Sequence, residues 1–104
     1  MSNESRGTLI IPEFGDREAF EATSRGYLST AKVELNDGRR FALVFYDINR
    51  LQQDLVSEAE EGRPFIAEPG LVVVQEVTLI TMRAAVDRLV LEGYFDHLKP
   101  EDSS

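Results

Sequence analysis

His97 is the only histidine of the chain and Asp96 stands beside it, so a histidine–carboxylate pair for proton transfer is the first chemistry to weigh. Adjacent residues in regular structure point to different sides, which separates the two side chains. A single histidine excludes, within one chain, both a two-histidine metal site and a histidine pair working as acid and base. Unperturbed imidazole does not by itself mark a site, and the plainer reading of His97 is a partly exposed side chain near the C-terminus. Tyr46, Asp47 and Arg50 form a second constellation, placed where a β-rich run hands over to a helical pattern. Ligands often dock at such handovers in α/β folds. With His97, these three are the candidates for a small-ligand or enzyme pocket between sheet and helices. Asp47 has a competing role as a helix cap, and Arg50 one as a solvated charge on the first turn.

Asp54 and Glu58 lie four residues apart on the same helical pattern and could face a cation, but no calcium-loop spacing accompanies them, which favours a solvated helix face. Glu58, Glu60 and Glu61 gather at the end of that pattern, where the helix dipole disfavours negative charge by tenths of a kcal/mol up to about one per side chain. Arg63 offsets only part of this cluster. The three glutamates are therefore the candidate surface for a basic protein partner, against the alternative of an ordinary solvated run. Arg39 and Arg40 are the only adjacent basic pair, at a turn, and are expected to protect a loop or edge. The glycines are dispersed, with no Walker loop, dinucleotide fingerprint or Gly-x-Ser-x-Gly elbow. Neither a metal nor a cofactor is expected.

The bulk properties narrow the field further. The chain has 104 residues, 42% hydrophobic and 29% charged, which is one globular domain rather than two or a disordered segment. Nineteen acidic against 11 basic side chains give a formal charge of -8, which argues against phosphate binding to nucleic acid and against attraction to anionic lipid. No apolar run approaches the roughly 20 residues of a membrane span, and no apolar block behind a basic start opens the chain, so a cytoplasmic setting is expected. The absence of cysteine removes disulfides, thiolate metal sites and a thiol nucleophile. The reading that remains is a small acidic, non-enzymatic protein-interaction module, for instance an inhibitor or immunity-like binder of a basic protein. The competing class is a small enzyme or ligand sensor using Tyr46, Asp47, Arg50 and His97.

Residues 1–6 and 99–104 are polar or proline-interrupted and are expected as flexible ends around a single domain over 7–98. Thr8–Pro12 reads as an edge strand, and Asp16 as the cap of a short helix stopped by Gly26. Ala31–Tyr46 is a hairpin around Asn36-Asp37-Gly38. A three-residue loop with positive φ at Gly38 sets Val33 opposite Phe41 and puts Ala31, Val33, Phe41, Leu43 and Phe45 on one face. After the Asp47 cap, Ile48, Leu51, Leu55 and Ala59 recur at helical spacing as far as Gly62. Phe65–Glu68 and Leu71–Val74 could pair across Pro69-Gly70. Leu71–Val77 reads as a strand buried on both faces, and Thr78 or Thr81 caps a last helix that Gly93 ends. The fold class predicted is α+β, a two-layer sandwich with two main helices on one face of a mixed or mostly antiparallel sheet of four to five strands.

Leu79, Met82, Ala85, Val86, Leu89 and Val90 form the sheet-facing stripe of the last helix, which leaves Ile80, Ala84 and Leu91 on the far side. Ala42, Val44 and Tyr46 likewise point away from Phe41, Leu43 and Phe45. Two helices on one face leave the other bare, so either the Asp16–Arg25 segment covers it or a second copy does. A homodimer through Ile80, Ala84 and Leu91, or through Ala42, Val44 and Tyr46, is the expectation.

Overall fold

The computed structural model describes residues 7–101. Its centre is the hairpin β2 (Tyr27–Leu35) and β3 (Arg40–Tyr46), paired with Val33 opposite Phe41, Glu34 opposite Arg40 and Ala31 opposite Leu43. The tip is fixed by turn chemistry. Leu35 N donates to Arg39 O and Gly38 N to Leu35 O, both at 2.9 Å, and Gly38 takes the positive φ that the three-residue loop requires. Because the side-chain period of a strand is two, this register sends Ala31, Val33, Phe41, Leu43 and Phe45 to one side, and all five are buried.

β1 (Gly7–Ile10) pairs antiparallel with β2 and forms one edge of the sheet, ending two residues before Pro12. β4 (Leu71–Val73) forms the other edge and runs parallel to β3, giving the order β1-β2-β3-β4 in one mixed sheet. β4 is shorter than the predicted Leu71–Val77 strand, and Val73 is 45% exposed rather than buried on both sides. The Pro69-Gly70 turn forms, but 64–68 is not a strand and has no ladder to Leu71–Val74. Gly70 instead lies flat against β3. Its carbonyl accepts from Val44 N, and a Cβ there would fall 2.3 Å from Ala42 O.

α1 (Asp16–Arg25) begins one residue earlier in capping terms than the sequence suggests. Gly15 is the N-cap, and its N–H donates to Glu18 Oε1, so Asp16 is the first helical residue and not the cap. α2 (Ile48–Glu60) and α3 (Leu79–Leu91) are 13 residues each; α2 starts at its predicted cap, Asp47 Oδ1 accepting from Arg50 N at 2.7 Å, and of the two candidate threonines it is Thr78 that caps α3, its Oγ1 accepting from Thr81 N at 3.2 Å. A 3₁₀ turn over Tyr94–His97 follows Gly93 and folds Phe95 back onto Phe41, ring centroids 5.1 Å apart.

The main apolar cluster lies on one side of the sheet. Met82, Val86, Val77, Phe95 and Ala22 join the five hairpin residues in a single cluster, with Leu89 and Val90 packed at its margin. α3 therefore crosses beneath β1 and its neighbours as its stripe predicts. α1 adds Ala22 to the same cluster, so it does not cover the opposite face of the sheet. The expected placement of two helices on one face is corrected by α2, which buries none of its residues and touches other elements only sparsely. The open face is held by charges instead, Arg40 with Glu34 at 3.5 Å and Lys32 with Glu101 at 2.7 Å. Where a loose end was expected from Lys99 onward, Glu101 is tied twice, its N–H also donating to Arg40 O at the stretch of β3 that β4 does not reach. Residues 1–6, predicted as flexible, and 102–104 lie outside the described residues.

Candidate functional site

Tyr46, Asp47 and Arg50 come together, but as the fastening of α2 rather than as a reactive set. Asp47 is wholly engaged. It caps α2, its N–H donates to Gly26 O at 2.9 Å, and its carboxylate lies so close to Gly26 that a Cβ there would be 2.3 Å from Oδ2. Gly26 also takes a left-handed φ of 68° as it ends α1, so both space and conformation demand glycine. Arg50 is not the solvated charge that its first-turn position suggests. Its guanidinium lies over the Tyr27 ring at 4.8 Å, donates from Nε to Asp54 Oδ1 at 2.9 Å, and reaches Arg25 O at 3.3 Å.

Tyr46 is 5% exposed and stands 4.9 Å from the Tyr27 ring. Burial, and then the hydrogen bond and charge of Asp54, push its phenol up to about 12. Asp54 thus links Arg50 to Tyr46 across the inner side of α2. On a helix, Arg50, Asp54 and Glu58 share one line, and all three are half-buried. The apolar stripe Ile48, Leu51, Leu55 and Ala59 is turned roughly 100° away from that line, and only Leu51 at its border is half-buried. Asp54 and Glu58 therefore do not form the solvated face that their spacing suggests.

His97 does not join this group. Phe95 packs on Phe41 and Asp96 pairs with Arg39 at 3.7 Å, which places the 3₁₀ turn at the hairpin end of β3, whereas Tyr46 ends that strand about 16 Å away at 3.3 Å per residue. The four candidates for a ligand pocket are consequently divided between two ends of the molecule.

The concavity that Tyr46 does line is one that sequence reasoning missed. It has a volume of about 250 Å³ and is bounded by Asp54, Glu58, Arg63, Phe65 and Glu68 as well. Arg63 donates to Glu58 Oε1 at 3.0 Å and stacks over Phe65 at 4.7 Å. Glu60 and Glu61 stand exposed beside this pair. The predicted acidic surface therefore has Glu58 neutralised and two glutamates free in the solvent, with Glu68 extending it along the 63–68 segment. The available signal was the i, i+4 spacing of Arg50 and Asp54, which marks a line of polar contacts; Tyr27 and Phe65 carried no such pattern.

The two surfaces expected to pair copies of the chain are placed as follows. Ile80 and Leu91 are 83% and 73% exposed and Ala84 is exposed too, but Asp87 lies between Ala84 and Leu91 on the same line of α3. Ala42 is exposed and Val44 half-buried, whereas Tyr46 is covered by α2 and is not part of an open surface. Among the described residues no group of three metal-ligating side chains converges, and no helix is long and apolar enough to cross a membrane. No protein-family model, curated protein or solved structure matches the chain.

Proposed function

We propose that this chain is a small acidic, non-enzymatic interaction module that binds a basic protein in the cytoplasm, in the manner of an inhibitor or immunity-like binder, through the C-terminal end of α2 and the 63–68 segment. The observation that carries the reading is the composition of that end. Glu60 and Glu61 stand exposed at the end of α2, Glu58 and Glu68 line the same concavity as the half-exposed Phe65, and Arg63 is the one cation among them. An exposed aromatic side chain beside a cluster of carboxylates suits a basic surface, with charge setting the rate of encounter and the aromatic side chain setting the residence time.

Affinity capture from native lysate, followed by a salt gradient, tests it. Basic proteins are expected to bind and to elute as salt rises, and a variant carrying Glu58→Lys, Glu60→Lys and Glu61→Lys is expected to lose them. Neutral or acidic partners whose retention ignores salt would sink the reading. The alternative of a ligand sensor rests on the Tyr46 cavity. It requires a small molecule that raises the melting temperature of the unmodified chain and fails to do so after Asp54→Asn.

A further inference from the structure

The hairpin tip carries the most reactive stretch of backbone among the described residues. Asp37 is the only aspartate of the chain that is followed by glycine. An aspartyl–glycine bond closes to a cyclic imide more readily than other aspartyl bonds, because no Cβ hinders the amide nitrogen and glycine reaches the backbone angles that ring closure needs. The other described aspartates are placed against this chemistry. Asp54 and Asp87 lie inside α2 and α3, whose ladders hold the following N–H, and Asp47 is committed to its cap with the β-branched Ile48 after it. Asp16 and Asp96 are followed by the bulky Arg17 and His97. At Gly38, by contrast, φ is 92° and a Cβ would meet nothing within 4 Å. The Asp37 side chain is 53% exposed, beside a recess of about 750 Å³ that Glu34, Arg40, Pro100 and Glu101 help to bound. Ring closure has room there, and water has access.

Two contacts hold the reaction back. The Gly38 N–H, whose nitrogen is the nucleophile, donates to Leu35 O at 2.9 Å. The Asp37 carboxylate accepts from Arg39 N at 3.0 Å and from Arg39 Nε at 2.8 Å. That N–H first, and the guanidinium after it, hold the Asp37 carboxyl below the usual carboxylate range, and an ionised carboxylate has no hydroxyl to lose. The guanidinium is itself anchored, 5.7 Å over the Phe41 ring and 3.7 Å from Asp96. We propose that Asp37 is a site of spontaneous isomerisation to isoaspartate and that the Arg39 side chain is the clamp that sets its rate. The Gly38 nitrogen bonds to Asp37 Cγ as a C–O bond of the neutral carboxyl breaks, and the amide proton and the hydroxyl leave together as water. The imide then takes one water back. Opening at the main-chain carbonyl of Asp37 leaves Gly38 joined through Cγ, with no net change in mass. The product carries one more methylene in the main chain of a three-residue loop, so Leu35 N–H and Gly38 N–H cannot both keep their partners and the hairpin register loosens from its tip. The site is independent of the proposed partner surface, since it lies at the hairpin tip and not at the Phe65 end.

Ageing the full chain for several weeks at neutral pH and body temperature, with isoaspartate located by peptide mapping and electron-transfer fragmentation, tests both halves of the proposal. Isoaspartate is expected to accumulate at Asp37 ahead of every other aspartate, and to be absent at that position in Asp37→Glu. Arg39→Ala should isomerise roughly two- to fivefold faster, the factor that an exposed ion pair is worth. In that variant the Leu35 N–H should keep the hydrogen-exchange protection that it has in the unmodified chain. In urea, where the clamp is gone from both, the two chains should isomerise at the same rate. An aged chain with no isoaspartate at Asp37, or with more at another aspartate, overturns the site. Arg39→Ala ageing no faster than the unmodified chain overturns the clamp. So does a gain in rate that persists in urea, or one that comes only with lost protection at Leu35, because either has a cause other than the bond from Arg39 to Asp37.

Discussion

α2 and α3 have the same length and the same kind of start, yet they are held to the sheet by opposite physics. α3 buries Met82 and Val86 completely and lays Leu89 and Val90 along the core, so its position follows from apolar area removed from water. α2 buries nothing completely and turns its charged line inward. Its attachments are the Asp47 cap, the Arg50 contacts with Tyr27, Asp54 and the Arg25 carbonyl, and the Asp54 carboxylate that lines the same concavity as Tyr46. The lesson is that an amphipathic stripe shows which side of a helix seeks cover, but not that its own domain supplies it. Where the neighbouring surface ends in two tyrosines, a polar line with an arginine in it fits better than leucines do.

The sharpest way to break the comparison is at the apolar end of it. Met82→Ala should destabilise the protein by about 3 kcal/mol in urea unfolding, through lost transfer energy and a cavity that the packed cluster cannot close. A loss below about 1 kcal/mol would mean that α3 does not carry the core.

The polar fastening has a signature in alkaline solution. The Tyr46 phenol is raised from 10 to about 12 in the folded protein, so between those values the folded chain holds a proton that the unfolded chain has released. Stability from this group is complete below pH 10 and falls as pH rises toward 12, by roughly 2–3 kcal/mol over the window. Urea melts across that range should show the decline, and Tyr46→Phe should lessen it. An equal decline in both chains would show that Tyr46 is not the group responsible.

The sequence made half of this comparison legible. In the hairpin, Asn36-Asp37-Gly38 set the loop, and matching Val33 to Phe41 chose the register. In α3, the stripe from Leu79 to Val90 and Gly93 marked the buried side and the far end, while the start stayed open between Thr78 and Thr81. Those signals are local, or repeat along one element. The orientation of α2 depends on Tyr27, which lies 23 positions before Arg50 and reaches it only because Gly26 brings the end of α1 against Asp47. No periodicity within α2 records that contact. The same reason separates His97 from Tyr46, since the distance between them is set by the length of β3 and not by anything adjacent to either residue.

The smallest effect is the most discriminating, because it inverts the usual ranking of leucine over arginine. Leu55→Ala should change the unfolding free energy by less than about 0.5 kcal/mol, the range of an exposed substitution away from any packed feature. Arg50→Ala should cost more, about 1–2 kcal/mol, since it removes charge-assisted bonds to Asp54 and Arg25 and the cover over Tyr27. The pair is half-exposed and therefore partly screened, so high salt should shrink the arginine effect and leave the leucine effect as it is. Were Leu55→Ala the costlier of the two, the apolar stripe would be packed within the domain, and the polar line could not be what fastens α2 to the sheet.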